Sequence, residues 1–195
     1  MGGRSRRFGA DKATAMLAGR PLTEWAAVSL RGAADPILLL GGDEQLAERL
    51  ALEWLPDAYP DAGPMSGVAA GLGRARELGR SGLLVLACDL PLVTSAVLRA
   101  IVAAAGPGVE AVVPTPGPSA LMEPLCAWYG TAALPQAEAY LAAGERSMHG
   151  LIARLEARFL PCAAQSEDGE PLFLNVNTPQ ELARAEGWLA RRVPA

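Results

Sequence analysis

The chain has 195 residues, 51% of them hydrophobic, and a formal net charge of −4. That length suits one domain with a real core, and the acidic balance argues against general nucleic-acid binding. No apolar run reaches the length of a membrane span, the start lacks the apolar stretch of a signal peptide, and Cys88, Cys126 and Cys162 lie far apart without metal spacing, which fits a reducing cytoplasm.

The first dozen residues are rich in glycine and arginine, with Gly2, Gly3, Arg4, Arg6 and Arg7, and end in Lys12, the only lysine of the chain. Glycines let several backbone N–H groups turn towards one anion, arginines add forked donors and a lysine adds a point charge. The stretch reads as a phosphate-gripping loop or as a basic tail. In an otherwise acidic chain a basic cluster points to a small, local anion site.

Residues 13–17 are short and apolar, and Gly19-Arg20-Pro21 turns the chain. Apolar spacing predicts a helix over 22–30, with Gly32 near its end. Residues 37–40 are a buried strand running into Gly41-Gly42. A helix is predicted over 43–55, with Asp43 as N-cap and Pro56 as stop. A Pro/Asp/Gly loop covers 56–64. A helix over 65–78 follows, whose Gly67, Gly71 and Gly73 suit a close backbone approach better than helix propensity.

Residues 83–87 form the clearest buried strand and end in Cys88-Asp89-Leu90-Pro91. A helix over 94–105, a strand over 110–114 and a strand over 125–129 come next. Helices are predicted over 132–143 and 147–157, strands over 158–160 and 172–176, and a last helix over 178–191. Apolar strands alternating with helices predict one three-layer, Rossmann-like α/β domain spanning 1–195, with a mostly parallel sheet. Ligands in such sheets sit at the carboxyl ends of strands, here marked by Gly41-Gly42, Asp89 and Asn175–Asn177.

Asp89 at a strand end suits Mg²⁺, a hard cation held by one or two carboxylates plus substrate phosphates. The other reading, a helix cap, is weakened by Thr94 and Ser95, which can cap the next helix. Thr178, Pro179 and Glu181 spell a capping box with proline at N1. That accounts for helix initiation and leaves Asn175 and Asn177, on one side of an extended segment, to complete a metal shell or hold a substrate. Asp57 on a loop could accept hydrogen bonds from a nucleobase, and Asp61 reads as a surface acid. Arg146 is an anion contact or a solvated surface residue. His149, the only histidine, has no nucleophile partner by sequence logic. A cationic loop, a strand-end carboxylate and paired amides without a nucleophile suit phosphoryl or nucleotidyl transfer.

In this order, Gly2–Lys12, Gly19-Arg-Pro-Leu22, Gly63-Pro-Met-Ser-Gly67, Cys88-Asp-Leu-Pro91, Glu123-Pro-Leu125 and Asn175-Val-Asn-Thr-Pro179 resemble the molybdenum cofactor guanylyltransferases of the NTP-transferase superfamily. The resemblance spans nearly the whole chain. It implies transfer of GMP from GTP to molybdopterin, giving the guanine dinucleotide cofactor and pyrophosphate, with Mg²⁺ as cofactor. By position it implies that Gly2, Gly3, Arg7 and Lys12 meet the nucleotide, with Lys12 neutralising phosphate charge. Asp57 would read the base and Asp89 would hold the metal. Gly67, Arg146, Asn175 and Asn177 would face the pterin or the metal. Molybdoenzymes or their chaperones would be protein partners.

Two departures accompany the resemblance. The family leads into its glycine loop from an apolar strand, whereas this sequence reads from Met1 where that strand would have ended; a late start or a repurposed relative would account for it. After residues 37–40 the guanylyltransferases place an asparagine near the base, and this chain has Gly41-Gly42. Transfer of CMP to molybdopterin, transfer to a sugar phosphate, and a non-catalytic nucleotide-binding role are the alternatives.

Overall fold

A computed structural model describes residues 14–59, 61–117 and 122–192, so Gly2, Gly3, Arg7 and Lys12 lie outside the described residues. The chain opens with a hairpin of β1 (Met16–Leu17) and β2 (Arg20–Pro21). Ala18 and Gly19 between them take φ of 48° and 77°, the left-handed backbone a two-residue hairpin loop demands. Then come α1 (Leu22–Arg31), β3 (Leu38–Leu40), α2 (Glu44–Arg49), β4 (Glu53–Leu55), α3 (Pro64–Glu77), β5 (Gly82–Leu86), α4 (Ser95–Ala103) and β6 (Ala111–Pro116). The chain continues through β7 (Cys126–Gly130), a 3₁₀ turn (Thr131–Ala133), α5 (Leu134–Ala142), α6 (Met148–Ile152), β8 (Ala157–Cys162) and α7 (Pro179–Arg192).

The three-layer α/β arrangement follows from strand alternation. Ala111, Val113, Ala127 and Tyr129 point into a core with Met65, Val68 and Leu72 of α3 and Leu134, Ala137 and Leu141 of α5. Val112, Cys126 and Trp128 point the other way, against Leu98 and Ile101 of α4. A third core gathers Leu17, Leu22, Leu46, Cys88, Leu92, Val176, Ala185 and Leu189, and so ties α7 and the first hairpin to the end of β5.

The sheet is mixed rather than mostly parallel. Parallel pairs join β3 to β4 and β6 to β8, but β7 runs antiparallel to both β5 and β6 in the order β5-β7-β6-β8. The link from β6 to β7 is too short for the crossover that a parallel neighbour needs, about a dozen residues or more. Among the described residues, β3–β4 and the four-stranded sheet share no strand pairing, and β3 and β5 face each other across a gap.

Helix α3 bridges that gap on one face. Gly67 sits where a Cβ would lie 3.3 Å from Leu40 Cβ, and a Cβ on Gly71 would lie 2.7 Å from Leu83 Cδ2 and 3.2 Å from Leu40 Cδ1. The close approach is thus to strands β3 and β5. Gly73 has open space beside it and plays no such part.

Three expectations need correction. The helix predicted over 43–55 is only Glu44–Arg49, because Ala51 turns left-handed at φ 52° and lets Leu52 N–H reach Ala47 O at 2.9 Å. The released residues form β4. Helix α6 stops at Ile152 in tight turns, with Arg154 N–H on Leu151 O and Leu155 N–H on Ile152 O. Residues 172–176 make no strand: Leu174 N–H turns back to Pro171 O, and Val176 N–H is taken by Asp89.

Candidate active site

Asp89 lies just beyond β5 (Gly82–Leu86), half-buried, where Ala87 N–H on Leu125 O still anchors the chain at 2.7 Å. The cap of α4 is Thr94, whose side chain accepts from Val97 N–H, so Asp89 is not used as that cap. Its main-chain oxygen accepts Val176 N–H at 2.8 Å. This one bond brings Asn175 and Asn177 beside Asp89, as the sequence reading required, although on an irregular segment rather than a strand.

The two asparagines are held as a pair. Asn177 Nδ2 donates to Asn175 Oδ1 at 2.5 Å. Asn177 N–H donates to Glu181 Oε2 at 2.7 Å, while Glu181 N–H donates to Thr178 Oγ1 at 3.2 Å. The capping box therefore does two things. It starts α7, and its carboxylate fixes the backbone of Asn177 with a charge-assisted bond.

Glu123 is the second carboxyl group at this place. Burial pushes its pKa up, the negative charge of Asp89 adds to the rise, and a backbone bond at Leu125 opposes it. Its segment is pinned on both sides, by Glu123 N–H on Pro114 O at 3.0 Å and Cys126 N–H on Glu123 O at 3.1 Å. Tyr129 Oη donates to Pro124 O at 2.8 Å. Burial likewise pushes the Cys126 thiol up, which makes it an inert core thiol rather than a nucleophile.

Asp57 follows β4 (Glu53–Leu55) at its carboxyl end, half-buried with one carboxylate oxygen fully buried. Nearby, Ser66 Oγ accepts Tyr59 N–H at 2.9 Å and closes the 57–66 loop onto α3. Gly67 lines the cavity between β3 and β5, and Leu40 fills the place of its missing side chain. Arg146 follows α5 (Leu134–Ala142). Its guanidinium donates to Leu141 O and Glu145 O at the carboxyl end of α5, at 3.0 and 2.8 Å. His149 is exposed on α6, in keeping with a surface role.

The cavity of about 520 Å³ between β3 and β5 extends to the carboxyl ends of the strands, where Gly41, Gly42, Asp43, Gly63 and Asp89 line it. Gly42, at φ 71°, has no atom within 4 Å of where a Cβ would lie, so this rim offers backbone and space.

The donors gathered here are hard oxygens. Among the described residues no group of three or more His, Cys, Asp or Glu could hold a metal. A cation here would rest on one or two carboxylates and on oxygens of the substrate, the manner in which Mg²⁺ binds with phosphates. Two residues escaped the sequence reading. Glu123 stood in a recognised motif without a role, and its signal was an acid set between Met122 and Leu125. Glu181 was assigned to helix initiation, and its grip on Asn177 needs the fold to be seen.

The sequence model of the MobA-like NTP transferase domain matches residues 1–159. A molybdenum cofactor guanylyltransferase of Cereibacter sphaeroides is 36% identical over 192 residues, covering 97% of this chain and 94% of that protein. One from Ectopseudomonas mendocina is 33% identical, covering 94% and 88%. Among solved structures, molybdopterin-guanine dinucleotide biosynthesis protein A of Archaeoglobus fulgidus superposes with a TM-score of 0.75 at 28% identity, covering 97% of this chain and 96% of that one. A 2-C-methyl-D-erythritol 4-phosphate cytidylyltransferase of Thermus thermophilus, at 24% identity and a TM-score of 0.67 over 92% and 94%, shares the fold. This chain belongs to the MobA-like NTP transferase family, and it is a nucleotidyltransferase.

Proposed function

We propose that this protein transfers GMP from GTP to molybdopterin, forming the guanine dinucleotide cofactor and pyrophosphate. The observation that carries the reading is the bond from Val176 N–H to Asp89 O, which sets a strand-end carboxylate beside a paired-amide loop at the mouth of an open cavity. The relatives named as molybdenum cofactor guanylyltransferases support the choice of substrates.

In the reaction a phosphate oxygen of molybdopterin attacks the α-phosphorus of GTP. A new P–O bond forms, the bond to the bridging oxygen of the β-phosphate breaks, and pyrophosphate leaves with the electron pair. No protein nucleophile is needed, so the residues work by position and charge. Asp89, with Glu123 beside it, is the group to hold Mg²⁺, which when bound neutralises charge on the phosphates. Asn175 and Asn177 orient the acceptor, Asp57 contacts the base, and Lys12 with Gly2, Gly3 and Arg7 grips the phosphates.

A second reading, CMP transfer to the same acceptor, is favoured by the open Gly41-Gly42 rim, which carries no side-chain amide for guanine. Incubation with Mg²⁺, molybdopterin and each nucleoside triphosphate in turn separates the two by the dinucleotide formed. Product with GTP alone supports the first reading, and equal use of CTP removes it. We place the reaction in the cytoplasm, with molybdoenzymes or their chaperones receiving the product; no helix among the described residues is long and apolar enough to cross a membrane.

A further inference from the structure

The chain leaves β3 and β4 side by side. Their parallel register pairs Leu39 with Trp54 and Leu40 with Leu55, and Gly41 N–H still reaches Leu55 O at 2.8 Å beyond the last pair. Counted on from there, Gly42 stands level with Asp57. Side chains alternate faces along a strand, and register partners share a face. Leu40 faces α3, since its Cβ lies 3.3 Å from where a Cβ on Gly67 would be. Leu55 shares that face, and so by alternation does Asp57, two residues on. Trp54 takes the opposite face with Leu39, which packs against the core of Leu22, Leu46 and Ala185.

From that opposite face the Trp54 indole Nε1–H donates to Gly41 O at 3.2 Å. The Gly41–Gly42 peptide is trans, so its C=O and N–H point in opposite directions. A carbonyl turned to Trp54 therefore turns Gly42 N–H towards the face of α3, the face of Asp57. A carbonyl that accepts a bond also polarises its peptide and makes the N–H a stronger donor. Gly42 is exposed, its N–H meets no main-chain acceptor among the described residues, and no atom lies within 4 Å of where its Cβ would be. Gly63 and Pro64, at the start of α3, line the same cavity as Gly42.

We propose that Gly42 N–H selects the base by donating to O6 of guanine, and that Trp54 is the positioning residue that aims it, an inference that rests on Asp57 contacting the base as proposed for the reaction. Asp57 would accept the guanine N1–H and N2–H beside it. One donor next to a carboxylate matches an edge that carries an acceptor and then two donors, which is the edge of guanine. Cytosine and adenine offer the reverse at the first two places, an amino donor against the N–H and a bare ring nitrogen against the carboxylate. Such a mismatch costs more than the lost bonds, because it sets like groups against each other. The rim thus favours GTP over CTP with no side chain at residues 41 and 42.

The test compares GTP, CTP and 6-thio-GTP, which keeps both donors for Asp57 but carries sulfur, a weak acceptor, in place of O6. Dinucleotide synthesis with molybdopterin and Mg²⁺ is followed in the 195-residue chain and in Trp54→Phe, which keeps a ring and drops the N–H. The parent should show a KM for 6-thio-GTP about tenfold above that for GTP. Trp54→Phe should raise KM for GTP about tenfold, with a smaller change in kcat, and move KM for 6-thio-GTP by less than about twofold. Hydrogen exchange of the Gly42 amide in the parent needs no variant to fold: GTP should slow it and 6-thio-GTP should slow it far less. Equal rises in both KM values in Trp54→Phe, or a Gly42 amide left unprotected by GTP, overturn the proposal in a parent that still prefers GTP. A parent that uses CTP as well as GTP overturns the proposal and the GMP-transfer reading together. A parent that forms no dinucleotide while GTP protects the Gly42 amide overturns that reading and supports the base contact.

Discussion

Replacing Glu181 by alanine tests how the paired amides of Asn175 and Asn177 are held. The carboxylate accepts Asn177 N–H at 2.7 Å and Thr178 Oγ at 3.1 Å. A hydrogen bond to a charged group contributes about 1.5–3 kcal/mol net. A carboxylate in the first turn of a helix adds about 0.3–1 kcal/mol. Because the group is half-buried, the lower part of the combined range applies, and Glu181→Ala should cost about 2 kcal/mol. Thr178→Ala removes the cap on Glu181 N–H and should cost about 1 kcal/mol, yet it leaves the bond to Asn177 in place. Urea unfolding followed by tryptophan fluorescence reads the stabilities, since Trp188 sits on α7. Steady-state turnover reads the site. Glu181→Ala should raise KM for molybdopterin or lower kcat by about tenfold, the equivalent of 1.4 kcal/mol. Thr178→Ala should change turnover far less, and Glu181→Gln should recover part of both losses. Equal turnover in Glu181→Ala and the parent would refute the idea that this carboxylate positions Asn177.

Asp89→Ala should lower turnover at least a hundredfold with little loss of stability, because Val176 N–H is bonded to the main chain of residue 89 and not to its carboxylate; kinetics and circular dichroism check the two halves. Gly82→Ala should destabilise by about 1–3 kcal/mol, since the new Cβ would lie 2.5 Å from the Trp128 ring, itself locked in the core; a fall in the urea midpoint measures it. The raised pKa of Glu123 means that the folded protein holds this proton more tightly than the unfolded chain does. Its contribution is complete below the ordinary value of 4.5 and is lost as pH rises through the raised value. Without metal or nucleotide, Glu123→Gln should therefore match the parent at pH 4 and exceed it in stability at pH 7, as read from thermal midpoints.

Much of the site was legible because its residues sit where apolar runs break. Five apolar residues ending in Cys-Asp-Leu-Pro place Asp89 at a strand end whatever the sheet's order. Thr178-Pro-Gln-Glu181 announces a helix start, and the asparagines before it stand out as unexplained. What could not be read depended on the backbone or on direction. The end of α2 is made by a left-handed Ala51, which carries no glycine to mark it, so β4 was absorbed into a helix whose apolar spacing runs on through Leu55. The reversal of β7 leaves no mark on composition, since a strand buried on both faces reads alike in either direction. Glu123 became interesting only when the fold set it against Asp89. Arg146 donates to two carbonyl oxygens at the end of α5, a placement that a guanidinium after a glycine does not announce.

The most direct test of the central claim follows the phosphate atoms. GTP labelled at the α-phosphorus, and separately at the γ-phosphorus, is incubated with the protein, Mg²⁺ and molybdopterin, and the products are separated. The account predicts α-label in the guanine dinucleotide, γ-label in pyrophosphate, and neither product with Asp89→Ala. Release of γ-label as orthophosphate, or an unlabelled dinucleotide fraction with α-labelled GTP, would contradict it.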